Sequence, residues 1–344
     1  MNIWINYAIM LKWGENMKLA IDAMSGDLGS RIVVDACLKF VEKHPNVKLL
    51  VTGKQEELTQ LNNYSNVEII DARDVVAMTD SVLGVRRKKE SSLVKALMLS
   101  SDNKADGVVS CGSTGAYYTA AMLFGHRLEN VEKSCLMAQL PTVNGKGTCL
   151  LDVGANASNT ASQLESFAIM GSVYASAINH IEHPTVALLN IGTEDHKGDE
   201  VHTEAYRLLS ANKNIHFIGN IEGRDLLLGE VDVIVTDGFS GNIALKSMEG
   251  TAIILMKLMK ESLMSDFKGK IGALLAKKNL YSLKDRFDYK SVGGALMMGF
   301  DKAIVKAHGG SDAVAFLSAM ELTYTMVKEN VVEKMKEGMK NENS

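Results

Sequence analysis

The feature that most constrains the fold is a recurring unit: a short apolar run, a loop of small residues, then a segment with helical periodicity. In the first unit the apolar residues 17–24 lead into SGDLGS, and the spacing predicts a helix over Ser30–Lys43 with Ser30 as its N-cap. The unit recurs at 105–125, 147–158, 185–200, 231–246 and 302–317. Such alternation of strands and helices predicts βαβ units and a mostly parallel sheet.

One segment departs from this unit. In SCLMAQLPTVNGKGTCLLD, the pair Asn144-Gly145 lies between two apolar runs, which is typical of a β-hairpin. The predicted fold class is therefore α/β, with a doubly wound, mostly parallel sheet that carries one antiparallel hairpin.

The chain divides into a long regular part and two short ends. Residues 1–16 contain both tryptophans and precede the first strand, so they are interpreted as an N-terminal extension. A single α/β catalytic domain is predicted over 17–335 and a polar tail over 336–344. Within the domain, residues 251–290 form a helical insertion rich in Met, Leu and Lys. They are interpreted as a core helix with a dimer interface, or as a protruding element that contacts a membrane or a partner.

Composition excludes several functional classes. The net charge of -4 offers no general electrostatic basis for nucleic-acid binding. The four cysteines form no CxxC pair and are interpreted as reduced thiols of a cytosolic protein. No His, Cys and carboxylate set has the spacing of a metal site, and no apolar run reaches the ~18 residues of a membrane span.

The loops that follow the strands are expected to converge. In a parallel sheet every strand-to-helix loop emerges at the same edge, where open α/β folds bind ligands. One cleft is therefore predicted from six loops: 25–29, 112–115, 154–156, 192–198, 238–241 and 309–310.

The loop at 111–115 has the composition of an anion site. CGSTG precedes an apolar helix, whose first N–H groups lack partners and attract phosphate or carboxylate. A tight packing turn between strand and helix explains the same glycines equally well. Cys111 is interpreted as a small buried residue rather than as an activated thiol.

Motifs along most of the chain resemble the bacterial phosphate acyltransferases of phospholipid synthesis. They include IDAMSGD, GSTGA, LPTVNGKGTCLLDVGAN, LLNIGTEDHKGDE, VDVIVTDGFSGNIALK and KAHGGSD, in order between residue 17 and about residue 330. Two loops depart from the pattern of that family: Ser25 and Leu28 differ in the first loop, and Cys111 and Ser113 in the second.

The resemblance implies a reaction, a fold and partners. The reaction is transfer of an acyl group from acyl-[acyl carrier protein] to inorganic phosphate, giving acyl phosphate without a cofactor or a metal. The implied fold is that of isopropylmalate dehydrogenase and phosphotransacetylase. A homodimer is expected in the cytoplasm, in peripheral contact with the membrane, beside a membrane-bound glycerol-3-phosphate acyltransferase that uses acyl phosphate.

This chemistry selects the candidate site residues. Phosphate is itself the nucleophile, so the site needs donors for an oxyanion and cations for phosphate. The candidate catalytic residues are Asn156, Lys197, Asn242 and Lys246. The candidate phosphate-binding and substrate-binding residues are Asp22, Gly26, Asp27, Gly112, Ser113, Thr114, Gly115, Gly154, Asp237, Gly238, Gly241 and His308. The candidate docking residues for the acidic carrier protein are Arg86, Arg87 and Lys88.

Two other functions fit parts of the sequence. One is a phosphotransacetylase-like enzyme that uses acyl-coenzyme A. The other is a non-catalytic scaffold that contacts the membrane through 251–290.

Overall fold

The computed structural model of the chain describes residues 17–77, 80, 82–286 and 294–340. The predicted N-terminal extension, 1–16, lies outside the described residues. Within them, eleven strands form one sheet, and helices cover both of its faces.

The strands are β1 Lys18–Asp22, β2 Lys48–Gly53, β3 Val67–Asp71, β4 Gly107–Ser110, β5 Cys135–Leu140, β6 Thr148–Leu151, β7 Thr185–Asn190, β8 His216–Glu222, β9 Val233–Val235, β10 Ala295–Met298 and β11 Ala303–Lys306. The helices are α1 Ser30–Lys43, α2 Val82–Arg87, α3 Ser92–Ser101, α4 Thr114–Phe124, α5 Ala161–Ile178, α6 Glu200–Ala211, α7 Gly238–Leu263, α8 Phe267–Leu275, α9 Lys277–Arg286, α10 Ala313–Lys328 and α11 Val331–Lys340.

Side chains alternate between two apolar cores, one on each face of the sheet. In β1, Leu19 and Ile21 enter one core and Ala20 enters the other. Each of the three is fully buried, as expected of a central strand whose neighbours on both sides are parallel. The α/β class and the mostly parallel sheet are confirmed.

The middle of the sheet reverses the strand direction. The strand order is β3-β2-β1-β4-β11-β10-β5-β6-β9-β7-β8. Strand β10 pairs antiparallel with both β11 and β5, and β5 pairs antiparallel with β6, whereas the other neighbours are parallel. Consequently β1 to β4 and β11 run in one direction, and β6 to β9 run in the opposite direction.

This reversal corrects the expectation that all strand-to-helix loops share one edge. The loops after β1, β4 and β11 leave the sheet in one direction, and the loops after β6, β7 and β9 leave it in the opposite direction. The register nevertheless sets the carboxyl ends of β11 and β6 nearly level with each other. The predicted hairpin at Asn144-Gly145 is confirmed, but it belongs to a run of antiparallel strands because β10 also inserts there. Strand β10 is short and follows two glycines, so the sequence periodicity did not reveal it.

Helix α1 has the predicted bounds, but its N-cap differs. Gly29 occupies the cap position with φ 73°, and Ser30 is the first helical residue. The hydroxyl of Ser30 donates instead to Glu57 Oε2 at 2.7 Å, so its side chain ties α1 to the segment after β2.

The helical insertion protrudes from the domain. In α7 the buried residues are Gly238 and Gly241, both in the first turn, and no residue of α8 is buried. Helix α8 packs on α7 and α9 packs on α8. In the single chain these helices are not part of the core, so the core-helix part of that interpretation is wrong, whereas the dimer interface stays a prediction. Among the described residues, no helix combines the length and apolarity needed to cross a bilayer.

Helix α11 shortens the expected polar tail. Residues 336–340 continue this helix, Met339 is fully buried, and α11 packs against α5. Of the tail expected over 336–344, only 341–344 follow the helix, and these lie outside the described residues.

Candidate active site

A cavity of about 340 Å³ lies on the face of the antiparallel strands, between the loops of one sheet edge and helix α7. Strand β5 contributes Leu136, Ala138 and Leu140, which share a face because strand side chains alternate. Helix α7 contributes a stripe at helical spacing, namely Asn242, Leu245, Lys246, Met248, Glu249 and Ala252. The cavity wall thus includes residues that follow strands of both directions.

The loops after β4 and β11 line one side of the cavity, and the loop after β1 contacts them without lining it. Asp27 N–H donates to Gly309 O at 3.0 Å, which joins the first loop to the last. The buried Asp22 accepts a 2.6 Å hydrogen bond from the Ser110 hydroxyl, and this oxygen in turn accepts from Gly112 N–H at 3.0 Å. The structure therefore places Asp22 in a network that holds two loops together.

Glycine is required at position 26 by close packing. A Cβ there would lie 2.6 Å from Cys111 Sγ. Cys111 itself is buried, and this burial raises the pKa of its thiol to about 12. The thiol is therefore a packing group and not an activated nucleophile, as the sequence favoured. All four cysteines are free and buried.

The start of α4 forms the polar end of the cavity. Ser113 is the N-cap, and its hydroxyl accepts from Ala116 N–H at 3.3 Å. Thr114 and Gly115 line the cavity from the first turn, where backbone N–H groups have no intrahelical acceptor. The predicted anion cradle thus faces the cavity through its backbone, while the Ser113 side chain serves the helix.

The other side of the cavity depends on Asp152, a fully buried carboxylate at the end of β6. Its oxygens accept from the backbone N–H groups of Leu136, Gly154, Ala155 and Asn156 at 2.9–3.1 Å. Burial raises the pKa of Asp152, and these donors act in the opposite direction. Asp152 therefore shapes the loop 152–156.

Asn156 is committed to this same loop. Its Nδ2 donates to Asp152 Oδ2 at 2.8 Å and to Ser134 O at 2.9 Å. Its Oδ1 accepts from the Tyr118 hydroxyl at 3.5 Å. Asn156 is not among the residues that line the cavity, in contrast to Gly154 in the same loop.

Helix α7 begins against this loop. Asp237 caps it, accepting from Phe239 N–H and Ser240 N–H at 3.0 and 2.9 Å. A Cβ at Gly238 would collide with the carbonyl of Asn156, and one at Gly241 with the carbonyl of Asp152. These glycines let the helix approach the strand end, and Asp237 is a helix cap.

Asn242 and Lys246 enter the cavity wall from α7, as the sequence motif suggested for substrate contact. Asn242 packs against Gly154, where a Cβ would lie 3.1 Å from the amide carbon. Lys246 Nζ lies 2.7 Å from Glu249 Oε2, and 58% of the Lys246 side chain is exposed. An ion pair with a largely exposed lysine therefore belongs to the cavity wall.

Lys197 is not brought into the cavity wall. It lies in the loop after β7, where its Nζ is 3.9 Å from Glu194 Oε2 and its carbonyl accepts from Asn190 Nδ2 at 3.0 Å. Among the predicted residues, His308 does line the cavity, and its Nδ1 accepts from Gly310 N–H at 3.2 Å.

Lys306 lines the cavity and was missed by the sequence analysis. It is the last residue of β11 and is only 8% exposed. Burial lowers the pKa of this lysine from 10.5 to about 8. The available signal was a lysine inside the apolar run AIVKA, directly before the loop that contains His308.

The basic surface, which consists of Arg86, Arg87 and Lys88, lies beside α4. Arg86 and Arg87 are exposed at the end of α2, and α2 packs on α4. Lys88 Nζ is partly neutralised, because it lies 2.7 Å from both Asp80 Oδ2 and Val75 O.

Comparison with known proteins gives a consistent family. A family model described as "Fatty acid synthesis protein" matches residues 17–334. The curated "Phosphate acyltransferase" of Bacillus cytotoxicus is 42% identical over 318 residues, covering 92% of this chain and 96% of its own. That of an Exiguobacterium strain is 44% identical over 324 residues, covering 93% and 98%.

Solved structures share the fold at low sequence identity. A phosphotransacetylase from Streptococcus pyogenes superposes with a TM-score of 0.59 at 17% identity, covering 97% of this chain and 100% of its own. A branched-chain phosphotransacylase from Enterococcus faecalis gives 0.58 at 14% identity, covering 90% and 99%. The predicted resemblance to the phosphotransacetylase fold is confirmed.

Proposed function

Because the chain belongs to the family described as fatty acid synthesis proteins, we propose that it transfers the acyl group of acyl-[acyl carrier protein] to inorganic phosphate. It is an acyltransferase, like the relatives named phosphate acyltransferase. The observation that carries this function is the mixed lining of the cavity. Its polar end is defined here by the start of α4 with Asn242 and Lys246, and its apolar end by the apolar side chains of β5 and α7.

The reaction exchanges one bond at the acyl carbon. A phosphate oxygen attacks the thioester carbonyl, the C–O bond forms, and collapse of the tetrahedral oxyanion breaks the C–S bond. The thiolate leaves on the carrier protein and takes up a proton from water. Phosphate is the nucleophile, so no side chain must form a covalent intermediate.

The polar end supplies what this step needs. Backbone N–H groups at Thr114 and Gly115 present the positive end of α4 to an anion. The amide of Asn242 and the ammonium of Lys246 face the same space. Donors held in place before the reaction stabilise developing oxyanion charge, and holding both reactants removes entropy from the barrier. Asn156 acts through the loop geometry, and Lys197 does not line the cavity.

The apolar end accommodates the acyl chain. Leu140 and Pro141 of the hairpin face Leu245 and Met248 of α7 across the cavity. An alkyl chain placed between them leaves water at a gain of ~0.8 kcal/mol for each buried methylene group. The thioester then lies at the junction of the apolar and polar ends.

The carrier protein is proposed to dock on the basic surface beside α4. Arg86 and Arg87 are exposed there, and Lys88 adds a partly neutralised charge. Because α2 packs on the helix whose N-terminus lines the cavity, an acidic partner bound there is near the polar end.

The helical insertion is proposed to hold the protein at the membrane surface of the cytoplasm. Its exposed apolar residues include Leu255, Leu258, Phe267, Leu274 and Leu275, interleaved with lysines. This composition suits an anionic bilayer surface. The chain is proposed to act as a homodimer and to deliver acyl phosphate to a membrane-bound glycerol-3-phosphate acyltransferase.

Parallel assays of the full chain test the proposal. The protein is mixed with phosphate and either acyl-[acyl carrier protein] or acyl-coenzyme A, and acyl phosphate is trapped with hydroxylamine. We expect phosphate-dependent product with the carrier protein. A preference for acyl-coenzyme A of about tenfold or more, ~1.4 kcal/mol, would favour the phosphotransacetylase-like alternative. Vesicle binding without product from either donor would favour the scaffold.

A further inference from the structure

Lys306 is a buried cation without a carboxylate partner. Its Nζ donates to Ala307 O at 3.0 Å, and among the described residues no carboxylate oxygen lies within 4 Å of it. An ammonium has three N–H donors, so this hydrogen bond leaves two of them for other acceptors. Burying a charge that is not paired is costly, and purely structural lysines therefore keep their ammonium at the surface.

The titratable groups around Lys306 come from three other segments. Asp27 faces it from the loop after β1, Cys111 from the loop after β4, and Lys246 and Glu249 from α7. Its own loop contributes His308. Asp27 and Glu249 favour the ammonium from beyond ion-pair distance, whereas burial and Lys246 disfavour it, and burial dominates. An anion bound beside Lys306 would therefore stabilise its ammonium against the effect of burial.

We propose that Lys306 binds the phosphate that attacks the thioester, as a buried cation of the cavity wall. The residue lies with Thr114 and Gly115 in the cavity wall, so a phosphate there meets the positive end of α4 and the ammonium together. The inference deepens the proposed function and rests on it for the identity of the anion.

This position predicts a pH dependence for phosphate binding. Below pH 8 Lys306 of the empty site is mostly protonated and can bind phosphate directly. Above pH 8 it is mostly neutral, so Lys306 must take up a proton when phosphate binds. Phosphate gains its second negative charge at about neutral pH, which strengthens binding as pH rises and acts in every variant alike, so its own titration cannot produce this fall. Affinity should therefore fall about tenfold for each pH unit above 8, until exposed lysines also titrate near ~10.4.

Calorimetry with inorganic phosphate and no acyl donor tests the assignment directly. Wild type, Lys306→Met and Lys306→Arg are compared at pH 7 and pH 9, with Lys302→Met, at the residue directly before β11, as the matched control. We expect Lys306→Met to lose at least about tenfold in phosphate affinity and Lys302→Met to match wild type. Wild type should weaken at pH 9, whereas Lys306→Arg should not, because arginine stays charged.

Steady-state kinetics distinguish a role of Lys306 in binding phosphate from a role in binding the acyl donor. A rise in KM for phosphate with an unchanged KM for the acyl donor supports the inference. A rise confined to the acyl donor, or a wild-type phosphate affinity equal at pH 7 and pH 9, overturns it. Should Lys306→Met fail to fold, the wild-type and Lys306→Arg pH profiles decide. If wild type forms no acyl phosphate, the proposed function is refuted. The role of Lys306 is tested separately, because phosphate binding is measured without turnover.

Discussion

Lys246 and Glu249 form an ion pair of 2.7 Å on α7, and both side chains face the cavity. The lysine is 58% exposed and the glutamate 16%, so the pair lies where the cavity opens to solvent. An incoming phosphate can therefore compete with Glu249 for the ammonium without burying a new charge.

Replacing this lysine should reduce activity and leave the fold intact. We expect Lys246→Ala to lower kcat/KM about 10- to 100-fold, ~1.4–2.7 kcal/mol of transition-state stabilisation. The free energy of unfolding should change by less than about 0.5 kcal/mol, because the side chain is mostly exposed. Steady-state assays and urea denaturation measure the two effects. Lys257→Ala, also on α7 but outside the cavity wall, is the control, and equal activity in both variants would contradict the assignment.

The basic surface should act on the carrier protein alone. The double variant Arg86→Glu and Arg87→Glu is expected to raise KM for acyl-[acyl carrier protein], because it repels an acidic partner. The defect should be largest at low ionic strength, and KM for phosphate should not change. Arg207→Glu, an exposed arginine on α6, is the matched control. An equal defect in that variant would indicate a nonspecific charge effect.

Two glycines of α7 should respond in opposite directions. Gly241→Ala is expected to lower the free energy of unfolding by more than about 2 kcal/mol, because its Cβ would collide with the carbonyl of Asp152. Gly250→Ala, whose Cβ meets nothing within 4 Å, should raise it by about 0.5–1 kcal/mol. Thermal denaturation of both variants measures the difference. A neutral Gly241→Ala would show that α7 can shift away from β6.

Lys306 should cost stability at neutral pH. Its pKa is about 8 in the folded chain and 10.5 without burial, so the unfolded chain binds this proton more strongly. The penalty is complete below pH 8 and disappears as pH rises through 10.5. We expect Lys306→Met to raise the free energy of unfolding at pH 7 by about 3 kcal/mol at most.

Denaturation at pH 7 and pH 10 without phosphate measures this effect. The difference between Lys306→Met and wild type should shrink at the higher pH. Added phosphate should stabilise wild type more than the variant, since only wild type retains the cation. A variant less stable than wild type at pH 7 would show that the lysine stabilises the fold.

The helical insertion should attach the protein to anionic vesicles. Leu274 and Leu275 are 71% and 82% exposed at the end of α8. Replacing both with Ser should release the protein in a vesicle sedimentation assay, because their burial in the interface is lost. Ile191→Ser removes an equally exposed residue from another loop and should leave binding unchanged. Unchanged sedimentation of the double variant would place the contact elsewhere.

Local sequence signals predicted much of this structure. Helix α1 has the expected bounds, and Asn144-Gly145 joins two antiparallel strands as a hairpin signal requires. Asn242, Lys246 and Gly115 were selected from their motifs and do line the cavity. These successes rest on periodicity and turn chemistry, which depend on neighbours along the chain.

Other features required long-range information. Strand β10 is only four residues long and follows glycines, so its local strand pattern is weak. Its pairing with β5 joins segments more than 150 residues apart. Lys197 and Lys306 look alike in the sequence, as single lysines beside strand-end loops. One pairs with Glu194 at the surface, and the other is buried in the cavity.

The amino-acid sequence by itself determined the order of strands and helices, the hairpin and the glycine-rich loops, because each depends on local periodicity and backbone preference. Only the tertiary structure decided that the strand direction reverses at β10, β5 and β6, and hence that the loops leave the sheet in two opposite directions. It also decided which lysine is buried beside the start of α4. Strand direction and burial depend on which distant segments pair and exclude water, and no local pattern encodes that choice.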